Sequence, residues 1–287
     1  MPKKDNYTNL KLIMKPDFAG KKTKDMIIFF REIFANIKNQ DDFIEVFYAM
    51  CEAGPTKFRV LAKEFKETLA GYLQKMSLDR IKMMLLYISG VHPECFRIVL
   101  EYFRVFFHDA FMSGHFNEII ILILNMSILN EDSAIVFIET MGDTIRRLAL
   151  TEGFKHFGTV LWYITIMKKP RVAKKLLLVL LDIISRKASC LTDLADMLFW
   201  LVKGDEDLGI YAANLLKDRM LSLMKKASVH DIVGFLIITS KHKKLFEEVW
   251  RHIHIMFLQI IENKDFRDRL QTLLNALRVS IPLPQVV

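Results

Sequence analysis

One helical pattern recurs seven times along this chain. Apolar residues at i, i+3, i+4 and i+7 line one face of a helix. Such quartets occur at Phe43/Val46/Phe47/Met50, Ile81/Met84/Leu85/Ile88, Ile119/Leu122/Ile123/Met126, Phe157/Val160/Leu161/Ile164, Leu194/Met197/Leu198/Leu201, Ile232/Phe235/Leu236/Thr239 and Leu270/Leu273/Leu274/Leu277. Their first residues are separated by 38, 38, 38, 37, 38 and 38 positions, and only Thr239 departs from apolar character. A fixed period of this size is the signature of stacked helical units, each needing its neighbours to bury its apolar face. The expected fold class is therefore all-α, a right-handed α-solenoid of about seven 38-residue repeats.

Each unit holds a second helix. Its start is nearly copied in the first two units, as Pro55-Thr-Lys-Phe58-Arg59-Val60-Leu61 and Pro93-Glu-Cys-Phe96-Arg97-Ile98-Val99. Proline suits a first helical turn because its missing N–H would be unpaired there. Glu131-Asp132-Ser133, Lys169-Pro170 and Asp205-Glu206-Asp207 take the same place later, acidic groups complementing the helix N-terminus. The connections 71–77, 106–116 and 145–154 leave room for a short third helix. An initial helix is expected from Thr23 or Lys24 to Asn36, then a cap at Asn39-Gln40-Asp41. A last helix is expected over 266–280, stopped by Pro282 and Pro284. The expected organisation is a basic arm over 1–24, one repeat array over 25–280 and a tail over 281–287.

Apolar residues make up 52% of the chain, ample for a core, while 11 Gly and 7 Pro are too few for the turns of an all-β fold. The three cysteines, Cys51, Cys95 and Cys190, are odd in number and widely spaced, which favours a reducing compartment. No signal-peptide pattern occurs, and the longest apolar stretches fall well short of the roughly 20 residues of a membrane span. The expectation is an intracellular protein, cytoplasmic or nuclear, with no membrane insertion. Of the net charge of +8, +5 sits in residues 1–24, through Lys3, Lys4, Lys11, Lys15, Lys21, Lys22 and Lys24 against Asp5 and Asp17. The remaining body is nearly balanced, so a nucleic-acid footprint has to come from local clustering or from the arm.

Chemistry-bearing motifs are absent: no GxGxxG, GxxxxGK[ST], HExxH or GxSxG. Ser222 and Lys225 match an S-x-x-K spacing without its companion motifs. His252 and His254, two residues apart, point about 200° apart on a helix and cannot share a metal. His108-Asp109, His115 and His156 offer no ligand set. No enzyme activity, metal, cofactor or small-molecule substrate is expected.

The cations of interest recur about once per unit. Lys168, Lys169, Arg171, Lys174 and Lys175, followed by Arg186 and Lys187, form one group. Lys217, Arg219, Lys225 and Lys226 form a second, and Lys241, Lys243 and Lys244 a third. Equivalent positions of a repeat array align, so these groups are candidates for a basic track, against the alternative of solvated helix ends. Aromatic residues interleave in the quartet helices. Tyr163 and Trp162, beside Lys168 and Lys169, are the candidates for base stacking rather than core.

The quartets, the paired helices and the P-x-x-F-R copies at Pro55 and Pro93 resemble α-solenoid repeats of the HEAT and armadillo type. The period, and His156-Phe157-Gly158-Thr159-Val160 entering a helix, are also similar to Pumilio-like repeats. That second resemblance implies RNA read by polar side chains on the middle helix. The comparable positions here, such as Met84-Leu85 and Leu122-Ile123, are apolar. The expected function is a non-enzymatic adaptor that binds a protein or ribonucleoprotein partner along its concave face. The alternative is a Pumilio-like RNA-binding protein gripping RNA by backbone charge and shape.

Overall fold

The structure is a computed structural model and describes residues 18 and 20–277, except for the side chain of Leu277. Among the described residues it contains seventeen helices and no strand. Four of the arm lysines, Lys3, Lys4, Lys11 and Lys15, and the tail over 281–287 lie outside the described residues. The chain divides into two compact units, Met1–Thr144 and Ile145–Val287, where the sequence pattern suggested one uninterrupted array.

The first unit begins with α1 (Thr23–Phe34), α2 (Gln40–Glu52), α3 (Pro55–Glu64) and α4 (Lys66–Leu73). It continues with α5 (Leu78–Val91), α6 (Pro93–Met112), α7 (Phe116–Leu129) and α8 (Glu131–Thr140). Helix α9 (Gly142–Ala149) crosses the boundary. The second unit holds α10 (Phe154–Ile166), α11 (Pro170–Lys187), α12 (Leu191–Gly204) and α13 (Glu206–Leu215). It ends with α14 (Lys217–Met224), α15 (Val229–Ser240), α16 (Lys243–Ile261) and α17 (Lys264–Leu277).

Within each unit the helices form two layers. The quartet helices α2, α5 and α7 pack in succession in the first unit, and α10, α12, α15 and α17 in the second. Beside them run α3, α6 and α8, and α11, α13 and α16. The first six quartets are wholly buried. In the seventh, Leu270 is buried while Leu273 and Leu274 are half-buried, because no further described helix covers the outer side of α17. Thr239 keeps its place in the core by donating its hydroxyl to the carbonyl oxygens of Phe235 and Leu236, at 2.8 and 3.2 Å. That satisfies a group whose burial would otherwise be costly.

The helix starts follow local chemistry. Asn39, Ser77, Asn130, Asp205 and Ser228 each accept a backbone N–H three residues ahead. Pro55, Pro93 and Pro170 stand in the first turns of α3, α6 and α11. Gly54, before Pro55, has φ +88°, a conformation that costs glycine little. Helix α1 stops at Phe34, two residues before the expected end, and α17 starts at Lys264, two residues before its expected start.

The third helices begin earlier than the connections suggested. Helix α4 follows α3 after a single non-helical residue, Phe65 (φ −100°, ψ 18°). Helix α9 follows α8 after Met141 (φ −98°, ψ 12°), and α14 follows α13 after Leu216 (φ −96°, ψ 5°). In α6 the matching residue, Phe103, is a kink inside one long helix (φ −117°, ψ 18°). Each of these four stands 22 residues after the start of its quartet, and all are buried. A large apolar group is drawn into the core there, and the helix bends around it rather than ending in a loop.

A second periodic row holds successive units together. Cys51, Ser89, Ser127 and Thr165, each 38 residues apart, follow directly after the last quartet residue and are buried. Ser89, Ser127 and Thr165 donate to their own helix's carbonyls three residues back, at 2.8, 2.7 and 2.7 Å. The next unit's second helix then reaches this row, with Cys95 Sγ donating to Cys51 O at 3.5 Å and Ser133 Oγ to Ser89 O at 3.0 Å. In the second unit the close approach needs glycine: a Cβ on Gly209 would lie 2.8 Å from the Val202 backbone nitrogen.

Replacing Leu85, Ile123, Leu161, Leu198 or Leu236 with Ala should each lower unfolding free energy by roughly 2–5 kcal/mol in denaturant titrations. Gly209→Ala should destabilise by about 1–3 kcal/mol, because backbone rather than a flexible side chain blocks the new methyl. Gly71→Ala, in α4 with open space around its Cβ position, should instead stabilise by about 0.5–1 kcal/mol. Equal effects at the two glycines would contradict this packing.

Candidate docking surface

The predicted cations of the second unit do not form one free track. Lys168 is exposed with a left-handed backbone (φ 56°), in the turn between α10 and α11. Arg171 is exposed, and Lys169 and Lys175 are half-buried. The Lys174 ammonium lies 4.1 Å from the Tyr211 ring centroid. Arg186 forks onto Asp182, one turn back. Lys187 reaches the carbonyl oxygens of Leu150 and Glu152, the first at 2.6 Å. Arg219 donates to the carbonyl of Ala188. Lys244 pairs with Glu206, and Lys243 lies 3.9 Å from Glu247. Lys217, Lys225 and Lys226 are exposed. Lys187 and Arg219 therefore clasp neighbouring segments, supplying the carbonyl partners that helix ends lack. Of the arm cations, Lys21 lies 5.1 Å from the Phe29 ring centroid, Lys22 precedes α1 and Lys24 stands in its first turn.

Rings and cations do meet on the outer face of α10 and α12. Trp162 and Trp200 are edge to face at 5.6 Å, and Trp162 and Tyr163 are 5.1 Å apart. Tyr163 is 50% exposed and Trp200 44%, so both leave the core. Lys203 lies 4.8 and 5.0 Å from the Phe199 and Trp200 ring centroids, and Lys241 lies 5.6 Å from Phe199. An open groove of about 440 Å³ lies beside the indoles, edged by Lys155 on one side and by Asp193 and Asp196 on the other.

The quartet layer of the first unit presents a different surface. Met83 on α5 and Ile121 and Ile128 on α7 are 66%, 56% and 60% exposed. Tyr87, Val91 and Leu129 are exposed beside them. On α2, Glu45 and Glu52 are exposed on the same helix face, seven residues apart. Between α2 and α5 the Tyr48 and Tyr87 rings approach to 4.0 Å. Burial, then the nearby Tyr87 and Glu45, pushes the Tyr48 phenol up to about 12. The Tyr87 phenol is also raised, by burial and by Glu52 and Glu45.

These outward positions share a register. The residue two after each quartet start runs Glu45, Met83, Ile121, Thr159, Asp196, Gly234, and the residue nine after it runs Glu52, Gly90, Ile128, Ile166, Lys203, Lys241. The sequence reading had followed clusters of charge and missed these rows. Aligning the repeats on their quartets exposes them, since helical residues at i and i+7 share a face.

His108 and His252 both have side-chain partners within the chain. His108 Nδ1 lies 2.7 Å from Thr144 Oγ1, and His252 contacts Glu248 at 3.2 Å and Asn214 at 3.1 Å. Among the described residues no group of His, Cys, Asp and Glu is placed to hold a metal, and no helix is long and apolar enough to cross a membrane. No family model, curated protein or solved structure is significantly similar to this chain.

Lys187→Met should destabilise the fold by about 1–2 kcal/mol through loss of its carbonyl contacts, whereas Lys225→Met and Lys226→Met should stay within about 0.5 kcal/mol. The raised Tyr48 phenol favours folding while neutral. Its contribution is fully present below the ordinary tyrosine value of 10 and is lost as pH rises towards about 12. Tyr48→Phe should remove that component from a stability–pH curve, and an unchanged alkaline slope would contradict the assignment.

Proposed function

We propose that this chain is a non-enzymatic helical-repeat adaptor that binds a protein or ribonucleoprotein partner along the face its quartet helices leave exposed. Each unit is read as a short right-handed α-solenoid array of the HEAT and armadillo type. The paired layers and the 38-residue register support that reading. The register runs through the boundary between the units in sequence, from Ile119 to Phe157.

The observation that carries the functional reading is the recurrence of exposed apolar residues at equivalent positions. Met83 and Ile121 share one position, Tyr87, Tyr163 and Trp200 a second, and Ile128 and Ile166 a third, all with side chains in solvent. Single exposed apolar residues are ordinary on a protein surface, but contiguous groups mark interaction sites. Aromatic residues and methionine are the side chains enriched in interface cores. The predicted cations, by contrast, are largely engaged: Lys174, Arg186, Lys187, Arg219 and Lys244 all have partners within the chain. That weakens the case for an RNA track.

Pumilio-like RNA binding is kept as the second reading on one observation. Tyr163 and Trp200 expose their rings one repeat apart, with Lys203 beside Trp200. Stacking on such rings and salt-dependent phosphate contacts would be its physical basis.

A photo-crosslinking residue placed at position 121 or 163 in cells should trap a discrete protein partner, and one placed at the solvated Lys225 should not. Filter binding of the full chain to mixed-sequence RNA should give at most weak attraction. Salt-sensitive submicromolar binding, abolished by Trp200→Ala with Lys203→Glu, would overturn the adaptor reading in favour of RNA.

A further inference from the structure

We propose that the outer face of α2, α5 and α7 is a docking site for a basic amphipathic helix of a protein partner. The inference rests on the adaptor reading and specifies the partner's chemistry for the first unit.

The apolar part of the site is a two-helix floor. Met83, Tyr87 and Val91 follow one another at four-residue spacing on α5, and Ile121 and Ile128 are seven residues apart on α7. Helices α5 and α7 are neighbours in the layer. Packed helices lie roughly 8–10 Å apart, so their exposed ridges leave a shallow furrow of the width that receives the apolar stripe of a third helix. Gly90 helps to set the furrow, since a Cβ there would meet Leu129 Cβ at 3.4 Å.

The polar part lies along one edge. Glu45 and Glu52 are exposed on α2, and among the described residues neither has a hydrogen bond or ion pair. The nearby cations are engaged: Arg80 pairs with Asp41 at 2.8 Å, and Lys82 lies 2.7 Å from Asp79 and 3.8 Å from Glu118. His92 also faces Glu52, but burial lowers its pKa and favours the neutral imidazole, so the edge is acidic. The two carboxylates stand seven helical residues apart, about 10 Å along the axis. Lys or Arg at i and i+7 of a ligand helix would match that spacing. The Tyr48–Tyr87 pair lies beside both carboxylates, which raise the Tyr87 phenol. Its ring faces can also attract a cation.

The same charges select among occupants. RNA is disfavoured because its phosphates would meet Glu45 and Glu52. A second copy of this chain joined face to face presents the same floor and the same acidic edge, and the Arg80 and Lys82 it would bring are already paired with Asp41, Asp79 and Glu118. A helix carrying Leu or Ile on one stripe and Lys or Arg along its flank satisfies both the floor and the edge.

The probe is a fluorescent synthetic helix of about 20 residues with a Leu stripe and Lys at i and i+7, compared with a Leu/Glu peptide of the same pattern. Fluorescence anisotropy with the full chain should give binding at least about tenfold tighter for the Lys peptide. Glu45→Lys with Glu52→Lys should reverse that preference. Ile121→Ser with Ile128→Ser should weaken the Lys peptide by about tenfold or more. Trp200→Ala, in the other unit, should leave it unchanged. Glu45, Glu52, Ile121 and Ile128 are exposed, so circular dichroism should report unchanged melting for the two first-unit variants. Equal binding of the two peptides, or an unaltered preference in the Glu45/Glu52 variant, would overturn the proposal. Failure of the peptide with a protein partner still trapped at position 121 would sink the basic-helix assignment while leaving the adaptor reading standing. Loss of both would sink the two together.

Discussion

Everything in this structure depends on burying the quartet stripes. Within each compact unit a quartet stripe faces the second helix of its own repeat, and its flanks meet the neighbouring quartet helices of that unit. Leu85, Ile123, Leu161, Leu198 and Leu236 are all within 1% of complete burial, although none belongs to a helix that could bury it alone. Stability therefore rests on contacts between helices rather than within any one of them. The half-buried Leu273 and Leu274 of α17 show the same rule from the other side, since that helix has a described neighbour on one flank only.

Two quieter rows make this stacking close-fitting. The carbonyls of Cys51 and Ser89 each accept from the next repeat's second helix, while Ser89, Ser127 and Thr165 fold their hydroxyls back onto their own helices. The kink row at Phe65, Phe103, Met141 and Leu216 inserts a bulky group where the second helix must bend. A protein interior is packed as densely as an organic crystal, so such rows are felt at the level of single methyl groups. They explain why the second helix sometimes reads as two helices and sometimes as one long one: the same buried residue produces either outcome.

With the core committed to repeat contacts, the outer face of the quartet helices is left to vary, and its character differs between the units. In the first unit it joins exposed Met83, Ile121 and Ile128 to unpaired Glu45 and Glu52. In the second it joins Tyr163 and Trp200 to Lys203 and Lys241. The scaffold tolerates both because these side chains stand outside the buried quartet stripes.

The helical class, the period and the core positions were legible in the sequence, because helical spacing and burial are local consequences of where apolar residues fall. The caps at Asn39 and Asp205, and the proline starts at Pro55, Pro93 and Pro170, were legible for the same reason. The fate of the charges was not. Lys187 and Arg219 look like members of a basic patch, yet their partners are carbonyl oxygens more than thirty residues away. Glu45 and Glu52 look like any solvated pair, and they stand out only because the neighbouring Arg80 and Lys82 are already bound to other carboxylates. A long side chain's partner is set by what folding brings within a few ångströms of its tip. Sequence spacing determined which residues are inside, and only the tertiary structure decided which of those outside remain available to bind.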